Sequence, residues 1–171
     1  MARNLIIYYS RAGENYFGGE IKNLEKGNTE LVAEYIRDAA DGETFKIEPA
    51  EDYPADYNET AKKAKAELKA GARPALKAYL SDISGFDNIF VCGPCWWGTY
   101  PCVVFSLLER LDWKGKRVFP VITHEGSGLG SAPKDLKKIC RGAKIEKGLA
   151  VEGKSAAEAS DEVKAWAKAQ I

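Results

Sequence analysis

Leu5-Ile6-Ile7-Tyr8-Tyr9 runs five residues without a charged or strongly polar side chain, and that narrows the folds open to this chain. A strand with one wet face alternates, whereas an unbroken apolar run must be covered on both faces. The run therefore predicts a central strand of a sheet with helices on either side. Two more segments read the same way, Asp87 to Cys92 and Arg117 to Thr123 with Val118, Phe119, Val121 and Ile122. Glu43 to Glu48 alternates around Phe45 and Ile47 and predicts a strand nearer the edge. Lys144 to Val151 predicts a fifth, irregular because Gly148 interrupts it.

Helical patterns separate these strands. Gly27-Asn28-Thr29-Glu30 opens one that places Leu31, Val32, Tyr35 and Ile36 on one face. Asn58 to Ala70 is rich in strong helix formers, and Ala75 to Leu80 predicts a short second helix after Gly71-Ala72-Arg73-Pro74. Pro101 suits the first turn of a helix running through Leu111. Another starts near Ser131 to Pro133 and stops near Gly142, and the last spans Ser155 to Lys168 with Ala156, Ala159, Val163 and Trp166 inward. Strands alternating with helices in this way predict one α/β domain over residues 1–171, a three-layer sandwich whose five parallel strands are ordered 2-1-3-4-5.

Lys plus Arg and Asp plus Glu number 25 each, so no net field draws the chain to nucleic acid or to an anionic membrane. Few apolar residues precede Ser10, too short a run for a signal peptide, and no segment reaches the ~20 apolar residues of a membrane helix. A cytoplasmic location is expected, with Cys92, Cys95, Cys102 and Cys140 reduced. Cys92 and Cys95 have the spacing of a redox or half-metal motif. No helix start follows to activate a thiol, and no second pair or nearby histidine completes a metal site, so ordinary thiols are expected.

The unusual residues sit in the loops after strands one, three and four. The first loop is Ser10-Arg11-Ala12-Gly13, followed by an insertion from Glu14 to Lys26 and the helix start at Asn28-Thr29. Strand, small-residue loop and helix start together make a phosphate-binding arrangement, with hydroxyls from Ser10 and Thr29. The insertion is too long for an ordinary connection, and its aromatics argue for an ordered flap. In the second loop the chain is expected to turn at Gly93-Pro94 and continue as Cys95-Trp96-Trp97-Gly98. Trp96 and Trp97 either stack on a flat conjugated ligand or pack under the following helix. The third is Thr123-His124-Glu125-Gly126-Ser127-Gly128. In the order 2-1-3-4-5 these loops lie side by side at the sheet's carboxyl edge.

Together, Tyr-Tyr-Ser-Arg-Ala-Gly-Glu-Asn-Tyr, Gly-Asn-Thr-Glu, Gly-Pro-Cys-Trp-Trp-Gly-Thr-Tyr-Pro and Thr-His-Glu-Gly-Ser-Gly-Leu-Gly-Ser resemble a flavodoxin, specifically the short flavodoxin-like proteins with an extended phosphate-binding loop. The resemblance covers essentially the whole chain and implies non-covalent FMN. Ser10, Asn28 and Thr29 would then hold the phosphate, with Arg11, Ala12 and Gly13 as loop backbone. Pro94, Cys95, Trp96, Trp97 and Gly98 would border the isoalloxazine, and Thr123, His124, Glu125, Gly126 and Gly128 would approach its edge. Ala12 departs from the hydroxyl often found there, and the neutral net charge departs from acidic electron carriers.

Within this picture Glu125 would act electrostatically on the ring, and His124, the only histidine, would relay a proton. Tyr16, Tyr53, Tyr57 and Tyr100 are candidates for the ligand's open face. Three activities remain open: electron transfer, NAD(P)H-dependent reduction of a quinone or similar acceptor, and non-redox binding of a phosphate ligand. Redox partner proteins or a small-molecule acceptor are expected, with the chain a monomer or weak dimer.

Overall fold

A computed structural model describes residues 1–171. Strands β1 (Asn4–Tyr8), β4 (Glu43–Lys46), β5 (Asn88–Pro94) and β6 (Arg117–His124) form a parallel sheet, with β7 (Lys144–Ile145) and β8 (Leu149–Glu152) both on the far side of β6. The order is β4-β1-β5-β6 and then the two pieces of the fifth strand. The expected interruption at Gly148 thus divides that strand. Gly148 packs against the Pro120 carbonyl in the middle of β6, where proline offers no amide hydrogen to a ladder.

The unbroken runs are buried on both faces as their composition requires. Leu5, Ile7, Ile89 and Val91 join a core with α3 (Cys102–Leu108) and α4 (Ala132–Ile139), while Ile6, Tyr8, Phe90 and Cys92 face α1 (Asn28–Ala40) and α5 (Ser160–Gln170). On the second face the rings of Phe90 and Phe119 stack 4.7 Å apart, with Trp166 set edge-on to both. A 3-10 helix (Gly153–Glu158) separates β8 from α5, so the expected final helix is two elements.

Two further expectations are corrected. Ala75 to Leu80 is not helical. The Ala75 carbonyl and Lys77 amide bond to Ala50 and Glu48, with a bridge between Pro49 and Leu76. Six residues are too few to sustain a helix against such competition. The expected helix from Pro101 to Leu111 ends its regular part at Leu108, although Leu111 stays buried. The inserted segment is ordered as expected, in the form of an antiparallel hairpin of β2 (Gly13–Phe17) and β3 (Glu20–Leu24) closed at Gly18-Gly19. It packs on α2 (Tyr57–Ala70). No helix is long and apolar enough to cross a membrane.

Candidate functional site

The first loop is built by a close approach. A side chain at Gly27 would run into the Ser10 hydroxyl and the Arg11 carbonyl, so only glycine lets the chain return from the hairpin against Ser10. Ser10 Oγ then accepts the Glu30 amide at 3.1 Å, taking over the helix cap that Gly27 lacks. The Leu31 amide reaches the Gly27 carbonyl. That leaves the amides of Asn28 and Thr29, the first two of α1, without an acceptor. Such amides carry the positive end of the helix dipole and suit an anion.

Buried bonds join this end to the other loops. Thr29 Oγ1 and Thr123 Oγ1 lie 2.7 Å apart, both residues buried, which fixes the start of α1 to the end of β6. The expected phosphate hydroxyl of Thr29 is therefore shared with Thr123, either oxygen being able to donate, and Thr29 lines the cleft as expected. The Cys95 amide donates to the Thr123 carbonyl at 2.9 Å, which joins the second loop to the third.

The turn expected at Gly93-Pro94 lies further on. Strand β5 continues to Pro94, paired with Thr123, and Gly93 leaves room for the Tyr100 ring, which a side chain would meet at 2.7 Å. Tyr100 is fully buried, its hydroxyl donating to the Val91 carbonyl and accepting the Val121 amide, and burial holds that phenol protonated. It shapes no open face. The chain reverses instead at Trp97-Gly98, where the Trp96 amide meets the Thr99 carbonyl and both central residues have positive φ, 56° and 88°. A tryptophan in that conformation costs about 1–2 kcal/mol relative to an ordinary one.

The result is a cleft of about 350 Å³, within the range of small-ligand sites. Ser10, Asn28 and Thr29 line one end, Pro94, Cys95 and Trp96 one wall, and Thr123, His124, Glu125 and Gly126 the other. Tyr16 and Tyr57, edge-on at 5.1 Å, border it as well. Arg11 lines it too, but its guanidinium is held by the carbonyls of Glu14, Pro54 and Ala55.

Several expected residues lie elsewhere. Ala12 and Gly13 line a separate hollow behind the first loop. Trp97 is outside the cleft, 52 % exposed, with its indole NH on the Ala61 carbonyl of α2 and Lys65 over its ring. Gly98 braces the neighbouring loop by accepting from Ser131. Gly128 does not line the cleft. Tyr53 packs edge-on against Trp96, and burial with its Glu67 bond raises its pKa.

Glu125 enters the cleft but is turned to its polar end. One oxygen accepts the Gly18 amide at the hairpin tip, and the other lies 3.0 Å from where a side chain on Gly153 would begin. His124 Nδ1 accepts the Gly126 amide, which places its proton on Nε2. Ser127 of the third loop lines the cleft as expected, whereas sequence reasoning missed Asn15 and Gly153, which also line it. Asn15 sat in view inside the insertion, while Gly153 had no signal beyond following the last strand.

A family model described as Flavodoxin matches residues 23–170. This chain belongs to the flavodoxin family. Among solved structures, a candidate flavoprotein of Bacteroides uniformis ATCC 8492 is 28% identical with TM-score 0.77, the match covering 98% of both chains. One from Bacteroides eggerthii DSM 20697 is 25% identical over 95% of this chain and 98% of that one, TM-score 0.72. A flavoprotein of Lactobacillus acidophilus NCFM, solved in complex with FMN, shares the fold at 20% identity and TM-score 0.64, covering 92% of this chain and 98% of that one. Comparison with curated proteins finds no match.

Proposed function

We propose that this flavodoxin holds FMN non-covalently in the cleft and transfers electrons through it. The observation that carries the reading is the meeting of three loops around one cleft, with open helix amides and hydroxyls at one end and aromatic rings at the other. The residues present fit such a group. The donor set of Ser10, Asn28 and the first amides of α1 suits a phosphate, and Pro94, Trp96, Tyr16 and Tyr57 suit a flat ring system. Gly153 keeps space open at the polar end, since a side chain there would strike Asn28 Nδ2 at 2.6 Å. Bound FMN supplies one- and two-electron chemistry of its own.

The chain's part is to bind, orient and dry that group. Asn28 and Thr29 present amides to the charged tail, and the Thr29–Thr123 bond keeps the first and third loops at a fixed separation. Trp96, braced edge-on by Tyr9 and Tyr53, gives the second wall little freedom to move. The Gly18–Glu125 bond ties the hairpin across the polar end, where it shields the tail from water. On this reading Glu125 serves the tail rather than the ring edge, which the Gly18 bond supports.

A second reading, an FMN-dependent oxidoreductase that takes hydride from NAD(P)H and reduces a quinone-like acceptor, is favoured by the zero net charge. That charge gives no long-range steering toward a basic redox protein. The four free thiols accord with a cytoplasmic setting. Anaerobic addition of NADPH or NADH to the FMN-loaded protein separates the two. Loss of flavin absorbance within seconds supports the oxidoreductase, whereas reduction only by dithionite or a partner reductase supports the carrier.

A further inference from the structure

Beside the cleft lies a second hollow of about 200 Å³, between the aromatic turn and helix α2. We infer that this hollow is a subsite for a planar, uncharged aromatic electron acceptor of one or two rings, held between Trp97 and the wall of α2. The inference rests on the proposed cofactor and names the acceptor class of that site.

Four of the residues that shape the hollow, Thr60, Ala61, Ala64 and Trp97, do not line the cleft. Thr60, Ala61 and Ala64 give it a floor of small residues on successive turns of α2, while Tyr57, Trp96 and Trp97 give it rings on several sides. Its volume is below the ~300–1,000 Å³ of sites for drug-sized ligands, so a single small ring system is the fitting occupant. Its one charged lining group is Arg11, whose Nε and one terminal nitrogen are bonded to backbone carbonyls. The rest of the lining is uncharged and mostly apolar, which suits a neutral ring system.

Trp97 supplies the second line of argument. It is the only residue besides Asp41 outside glycine with a positive φ, and its exposed indole is fastened to α2 by the bond to the Ala61 carbonyl. Backbone strain kept at an exposed aromatic is a mark of a functional position when the surroundings over-determine it. Continuity is the third. Arg11, Asn15, Tyr57, Cys95 and Trp96 line both hollows, so an occupant of the second lies against the aromatic end of the first. Electron transfer across that boundary balances simply: a quinone takes two electrons from the reduced cofactor and two protons from water and leaves as its hydroquinone.

The test uses 2-methyl-1,4-naphthoquinone as probe and Ala61→Phe as the filling variant, because Ala61 lines only the second hollow while its carbonyl still holds Trp97. In cofactor-free protein the probe should quench tryptophan fluorescence saturably. Ala61→Phe should raise the half-saturating concentration at least tenfold and leave FMN affinity within twofold. With FMN reduced by dithionite, reoxidation by sub-saturating probe should slow at least tenfold in the variant, while reoxidation by ferricyanide, which need not enter, stays the same. Trp97→Ala should weaken the probe as well, without filling the space.

Quenching that never saturates, or an Ala61→Phe protein that binds the probe as the parent does, would overturn the subsite. So would an equal loss of FMN and probe, which would give the hollow to the cofactor's own rings. Saturable probe binding in a protein that takes no FMN would overturn the acceptor role together with the cofactor reading, and that pattern is distinct from the others.

Discussion

The two ends of the cleft are built on different principles. At the polar end the atoms that matter are fixed by bonds, the buried one of Thr29 to Thr123 and the part-buried one of Ser10 to Glu30. At the aromatic end the groups are rings, held by edge-on contacts at 5.1–5.5 Å, with Trp97 beyond them bonded through its indole to α2. A charged tail needs donors placed to within a fraction of an ångström, and that requires a rigid frame. A flat apolar ring needs area, and tolerates walls that shift. The chain therefore concentrates its buried polar chemistry at one end of the cleft, and its strained, exposed tryptophan lies just outside the other.

The largest effect should come from breaking the polar frame. Gly27→Ala puts a methyl group against the Ser10 hydroxyl and the Arg11 carbonyl, and backbone cannot swing aside as a side chain can. Overpacking of this sort costs about 1–3 kcal/mol, seen as a lowered urea midpoint, and FMN affinity measured by flavin fluorescence should fall at least a hundredfold. Unchanged affinity would show that the polar end is less rigid than its bonds imply.

Trp96→Ala attacks the other end. Stacking of a base on an aromatic ring is worth about 1–3 kcal/mol, so FMN affinity should drop roughly tenfold to a hundredfold while riboflavin, which lacks the phosphate, loses a similar factor. A loss confined to FMN would mean that Trp96 serves the tail.

Glu125→Gln sharpens the contrast with a smaller change. Glutamine keeps an oxygen for the Gly18 amide and removes a negative charge from the end assigned to the phosphate. FMN should bind several-fold tighter at low salt, and the gain should shrink as salt screens it; weaker binding would show that the charge itself is needed.

The smallest perturbation is chemical labelling near pH 8. Burial pushes the Cys140 thiol up to about 12 and raises those of Cys92 and Cys102, so these stay protonated and unreactive in the folded protein. Cys95, half-buried on the cleft wall, should be the one thiol that reacts readily with a disulfide reagent, and FMN should slow it. Their reactivity should increase as the pH is raised toward their shifted values.

The sheet was readable because covered strands leave unbroken apolar runs, and the cleft because three loops after neighbouring strands carried residues no ordinary turn needs. What the sequence hid was tertiary. The hairpin from Gly13 to Leu24 is mostly polar and packs only one side, so its sole local signal was Gly18-Gly19 between two short strand-length segments. Ala75 to Leu80 has helix-forming residues, yet the partners at Glu48 and Ala50 decide its conformation. Tyr100 and Trp97 are two aromatics in one loop, and only packing sends the first into the sheet and the second to the surface.

The most direct test of the whole account is a pair of titrations of the cofactor-free protein, one with FMN and one with riboflavin, each followed by flavin fluorescence. One cleft with a phosphate end and a ring end predicts saturable binding of one FMN per chain, with riboflavin at least a hundredfold weaker and that gap removed in Gly27→Ala. No FMN binding, or equal affinity for the two flavins, would contradict it.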